Sequence, residues 1–139
     1  MKCYVFVNTK MSGINAGIQA LHAVAELSLQ NDEDGNYVEW AENHKTVVLL
    51  NGGSHTDLID VHFTLDNHCV PNGVFREVDV NNSVTAVAVV ADNFVMDAIE
   101  DIKMCRQSNI IRTPEEKMNM CGGRYEFAEY LQSFRTLRG

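Results

Sequence analysis

Proline and tryptophan are scarce in this sequence, with two and one in 139 residues, and glycine occurs only nine times. That scarcity excludes collagen-like and linker-type chains. No stretch approaches the roughly 18–20 consecutive apolar residues that a membrane helix needs, so no membrane partner is expected. The apolar opening from Met1 to Asn8 is too short for a signal peptide and reads as a first strand, which makes the cytoplasm the expected compartment. The four cysteines, Cys3, Cys69, Cys105 and Cys121, include no C-x-x-C pair. They are expected to be free thiols, mostly filling core. Basic residues are thin in one region: residues 1–92 hold four Lys or Arg against twelve Asp or Glu, whereas residues 93–139 hold seven of each. The whole net charge of −8 therefore lies in the N-terminal part. An acidic surface works against nucleic-acid binding, which draws on phosphate neutralisation, so tRNA is disfavoured as a partner on charge alone.

What remains is the composition of a globular domain, 45% hydrophobic and 22% charged, with enough chain for one core. Residues 2–8 predict a strand and residues 14–30 a helix. Tyr37 to Asn43 predict a short helix, and the apolar run Thr46 to Asn51 a strand covered on both faces. Gly52-Gly53 is read as a break. Ser54, with Asp57 three residues on, marks the start of a helix to about Asn67. A turn at Pro71-Asn72-Gly73 precedes two strands, Val74 to Val80 and Val84 to Val90. They are joined at Asn81-Asn82-Ser83, where asparagine tolerates positive φ. The order predicts an α/β fold: a three-layer α/β/α arrangement around a four-stranded mixed sheet in residues 1–92. Residues 93–139 are expected to form a C-terminal helical extension packed on it. In the extension, Val95, Ile99 and Ile102 share one face. Thr113-Pro114-Glu115-Glu116 is a strong helix start, Gly122-Gly123 a stop, and a last helix is expected from Tyr125 to Leu137.

The helix after the first strand is the most informative segment. At 100° per residue, Asn15, Gln19, His22 and Glu26 fall on one stripe, while nearly every other position from 14 to 27 is apolar or small. Such a helix is expected to be packed over most of its circumference, leaving one polar ridge of amide, imidazole and carboxylate. Those groups can donate, accept and move protons. The plainer alternative is a surface stripe that simply faces water.

The run Met11-Ser12-Gly13-Ile14-Asn15-Ala16-Gly17-Ile18-Gln19-Ala20-Leu21-His22-Ala23 resembles the first helix of the type-II peptidyl-tRNA hydrolases, in which a Gly/Lys-rich turn leads into A-Q-x-x-H-A. Gln19 and His22-Ala23 match that motif, and the following elements run in the family's order over residues 1–92. The resemblance implies hydrolysis of the ester between a peptide and the 3′ end of tRNA, without metal or organic cofactor. In such a site His22 or Glu77 would position or activate water. Lys10, Asn15, Gln19, Asp79 and Thr85 would contact substrate, with Lys10 the nearest cation. The chain departs from the family in three places. Asn15 stands where the family has a lysine, Glu77 replaces the aspartate of an Arg-Asp pair, and the loop around Asn81 is shorter. A rival reading is a non-catalytic module that presents Asn15, Gln19 and His22 to a protein partner or small ligand. A third is self-association, as a homodimer, through tail helices or strand edges.

Other groupings carry less. Gly52-Gly53 with Ser54 is an anion site or, more simply, a turn and a cap. His55, His62, His68 and Cys69 fit no familiar zinc spacing. Glu77 and Asp79 are expected on one face of the third strand with Phe75, either near His22 or blunting an edge. The tail's Arg124, Tyr125, Tyr130, Phe134, Arg135 and Arg138 read as an apolar helix face with cations rather than a nucleic-acid surface.

Overall fold

The structure is a computed structural model and describes residues 1–137. In chain order the elements are β1 (Lys2–Asn8), α1 (Gly13–Ser28), α2 (Asn36–Asn43), β2 (Val47–Gly53), α3 (His55–Asn67), β3 (Asn72–Glu77), β4 (Ser83–Ala91), α4 (Asn93–Ser108), α5 (Pro114–Asn119) and α6 (Tyr125–Gln132). The sheet is four-stranded and mixed, in the order β2-β1-β4-β3. β1 runs parallel to β2 and antiparallel to β4, which pairs antiparallel with β3.

Strand alternation divides the core in two. Cys3, Val5 and Val7 of β1 and Ala86, Ala88 and Val90 of β4 meet Ala16, Ala20, Ala23 and Leu27 of α1 and Trp40 of α2. Tyr4 and Phe6 of β1 and Val87 and Val89 of β4 meet Leu58, Val61 and Leu65 of α3, joined by Ile99 of α4 and Phe127 and Leu131 of α6. The result is helix, sheet, helix, with the C-terminal helices contributing to the α3 side. The small residues of α1 let it approach closely. A Cβ on Gly73 of β3 would collide with the backbone of Ala23 and Leu27, so only glycine allows α1 to lie this near the sheet.

Several expectations need correction. The hydrophobic side chains of α1 are not all packed: Ile14 is 85% exposed and Leu21 67%, because the face laid on the sheet is the small-residue one of Ala16, Ala20, Ala23 and Leu27, joined by Gln19 of the polar stripe, while Asn15 and His22 stay exposed. Gly52 and Gly53 do not break the chain but finish β2, and Asn72 and Gly73 open β3 rather than forming a turn. β3 ends at Glu77, so Asp79 is not on the strand with Phe75 but in an exposed 3₁₀ turn over Val78–Val80. β2 is partly exposed rather than covered on both faces. Of the cysteines, Cys69 is exposed and Cys121 half-buried. Cys3 lies in the core, where burial pushes its thiol up to about 12.

The last helix stops at Gln132 rather than reaching Leu137. The chain beyond it pairs with the outer edge of β2: Asn51 N–H donates to Arg135 O, and Leu137 N–H to Leu49 O, both at 2.8 Å. A free edge is a template for another strand, and this short segment covers it. Arg138 lies outside the described residues.

Candidate functional site

β1 leaves the sheet to α1 on one face, and its parallel neighbour β2 leaves to α3 on the other. In open α/β sheets, ligands lie in the crevice outside the carboxyl ends of strands that part in this way. Here that position holds an open hollow of about 670 Å³. Its walls come from the end of β1 (Asn8, Thr9, Lys10, Met11), the start of α1 (Asn15), the start of α3 (Ser54, His55, Thr56) and the β3–β4 connection (Asp79 to Asn81, Ser83). Local sequence shapes each wall. Gly13 takes φ +55 to turn the chain into α1. Asn81 and Asn82, both at φ 57, carry the chain back into β4. Ser54 and Asp57 form a capping box that starts α3 at His55. The N–H and hydroxyl of Ser54 donate to Asp57 and hold its carboxyl below the usual range.

A line of hydrogen bonds runs from the hollow along α1. Asn15 donates to the sulfur of Met11 at 3.1 Å. Its own Oδ1 accepts from Gln19 Nε2 at 3.4 Å, and the same amide donates to Glu77 Oε2 at 3.1 Å. The Thr85 hydroxyl donates to Gln19 Oε1 at 2.6 Å. Gln19 and Thr85 are buried and Glu77 is half-buried. A β-bulge makes this arrangement possible. Phe75 pairs with Ala86 but Arg76 pairs with Val84, so Thr85 is an extra residue in β4. The bulge turns Thr85 toward α1 beside Ala86, while Val84 packs in the α3-side core.

One turn further along α1, the exposed His22 ring stacks on Phe75, centroids 4.4 Å apart and planes at 19°. The sequence-derived site residues thus fall into three groups. Asn15, Gln19, Glu77 and Thr85 form one connected line. His22 stands beside it, stacked on Phe75 two strand positions before Glu77, with no hydrogen bond to Glu77 among the described residues. Lys10, Asp79 and Asn15 border the hollow, whereas Gln19, His22, Glu77 and Thr85 are not among the residues that line it, and Asn15 is the member common to hollow and line.

One further group borders the hollow. His55 Nδ1 accepts the main-chain N–H of Val84 at 2.9 Å, at the residue before Thr85. Sequence reading grouped His55 with distant histidines and cysteine. Its true signal was the capping box, which places position 55 in the first turn of a helix following a parallel strand.

The chain matches no family model, and a search of curated proteins finds no significant match.

Proposed function

We propose that the chain is a hydrolase of the peptidyl-tRNA type, cleaving the ester between a peptide and the 3′ ribose of tRNA. The observation that carries this reading is the Thr85–Gln19–Glu77 line. It ties the opening helix, the end of β3 and the bulge of β4 into one polar constellation leading to a solvent-open hollow. The arrangement suits ester hydrolysis. Gln19 occupies one oxygen of Glu77 and orients the carboxylate, while the other oxygen accepts nothing from the described residues and is free to take a proton from water. Asn15 presents an amide at the hollow's wall, and Lys10 supplies a cation there. His22, stacked flat on Phe75, offers an exposed ring plane for a base or peptide side chain. The resemblance of Gln19 and His22-Ala23 to the type-II peptidyl-tRNA hydrolase helix selects this ester among others.

The same features bear on a second reading, a binding module without chemistry. Asn15 stands in place of a lysine and is spent on Met11 and Gln19, and residues 1–92 carry the full negative excess. Purified protein incubated with peptidyl-tRNA separates the two. The hydrolase releases peptide and deacylated tRNA above the spontaneous rate, whereas the module binds without release.

A further inference from the structure

We infer that His55 is the electrophilic donor of this site, its Nε2–H contacting the carbonyl oxygen of the acyl group held in the hollow. The choice of an acyl ligand rests on the hydrolase reading above.

The ring stands in the first turn of α3 and lines the hollow. Its Nδ1 accepts the N–H of Val84. A ring nitrogen that accepts carries no proton, so the neutral ring holds its proton on Nε2. The main chain of β4 therefore sets the tautomer. Nε2 has no partner among the described residues, and no buried side-chain nitrogen or oxygen among them is left without one. Nε2 is accordingly open to solvent. The same β4 residue anchors the opposite wall. The Val84 carbonyl accepts from Asn8 Nδ2 at 3.1 Å, and Asn8 Oδ1 accepts the Lys10 N–H at 3.0 Å. Imidazole and lysine loop are thus fastened to one point, immediately before Thr85.

A fixed, neutral N–H donor polarises a carbonyl without having to surrender its proton, and it is in place before charge develops. In the reaction, water oxygen bonds to the acyl carbon and the water proton passes to the carboxylate of Glu77, which stands beside the hollow rather than in its lining and is tied to it through Gln19 and Asn15. The carbonyl electron pair moves onto oxygen, where His55 Nε2–H and Lys10 hold it. When the tetrahedral species collapses, the bond to the 3′ ribose oxygen breaks and that oxygen takes the proton back from Glu77.

Two substitutions separate the ring's two ends. His55→Asn places an amide oxygen near the Nδ1 position, keeping an acceptor for Val84 while deleting the far donor. His55→Gln extends an amide N–H to the Nε2 position. The probe is the non-hydrolysable 3′-amide of N-acetylphenylalanine with adenosine, added to full-length protein with ¹⁵N-labelled histidine. The free protein should show His55 as the Nε2–H tautomer, and the probe should shift that resonance. His55→Asn should weaken probe binding about tenfold, the worth of roughly one hydrogen bond, and His55→Gln much less. An Nδ1–H tautomer, a probe that binds without moving the Nε2–H signal, failure of the probe to bind at millimolar concentration, or unchanged binding by His55→Asn would each overturn the assignment. Peptide release decides the hydrolase reading separately. Release that survives His55→Asn intact removes His55 and keeps the reading; probe binding through His55 with no release from the unaltered protein does the reverse.

Discussion

The Gln19 amide oxygen accepts the Thr85 hydroxyl at 2.6 Å across the gap between α1 and a bulge in β4. Both side chains are buried, so the bond is shielded from water, and each partner depends on the other. Thr85→Val keeps the shape but leaves the amide oxygen of Gln19 without its donor. The variant should lose about 1–3 kcal/mol of stability, read as a lowered urea midpoint.

Gly73 sets how closely α1 approaches β3. Gly73→Ala places a methyl against the backbone of Ala23 and Leu27, which cannot move aside as a flexible side chain would. The helix must shift, taking Gln19 and His22 with it. The expected cost is about 1–3 kcal/mol or more, and His22 should lose its upfield ring-current shifts from Phe75 in the NMR spectrum.

Asp101 joins the C-terminal helices. Arg112 grips its carboxylate with two N–H groups at 2.8 and 3.2 Å, and the Tyr125 hydroxyl donates to it at 2.8 Å. These bonds, the one from Arg112 foremost, hold the Asp101 carboxyl below the ordinary range. A depressed carboxyl stabilises the fold above the ordinary carboxylate value of roughly 4, and the contribution disappears as pH falls through the folded-state value. Asp101→Asn should therefore lower Tm by roughly 3–6 °C at pH 7 and by progressively less toward pH 3. A difference that stays constant over that range would contradict the assigned cause.

His22 touches Phe75 but has no hydrogen bond to Glu77 among the described residues. His22→Phe keeps the stack and deletes the imidazole; His22→Ala deletes both. If Glu77 alone handles the water proton, His22→Phe should keep kcat within about tenfold of the parent, below the 10²–10⁴-fold typical of a lost acid–base group. The loss in His22→Ala should then fall mainly on KM. A kcat collapse in the Phe variant would transfer the proton role to His22.

Much of the fold was legible because composition and punctuation agreed. The apolar, aromatic and β-branched run in residues 2–8, the Ser54–Asp57 cap and the asparagines of the β3–β4 connection each correspond to a feature of the structure. The stripe of Asn15, Gln19 and His22 was equally readable from helical spacing. Its direction was not, since an apolar helix was expected to bury its apolar residues. The face that meets the sheet is instead the one with the smallest side chains, Ala16, Ala20 and Ala23 with Leu27, which brings Gln19 inward and leaves the larger Ile14 and Leu21 outside. Thr85 came from the resemblance, but the bulge that aims it is a pairing property and leaves no mark in local sequence. Asp79 was misplaced for a related reason: strand periodicity was carried past Glu77, where the chain had already turned. The tail pairing with β2 was invisible, because Arg135 to Leu137 contribute main-chain bonds rather than a pattern.

Single-turnover release of peptide from peptidyl-tRNA, with protein in excess, tests the central claim most directly when the unaltered chain is run beside Glu77→Gln. The glutamine keeps a partner for Gln19 but cannot accept a proton. The unaltered chain should release peptide well above the spontaneous rate, and Glu77→Gln should slow release by about 10²–10⁴-fold with the fold intact by circular dichroism. Release at the spontaneous rate by the unaltered chain, or equal rates for both proteins, would contradict it.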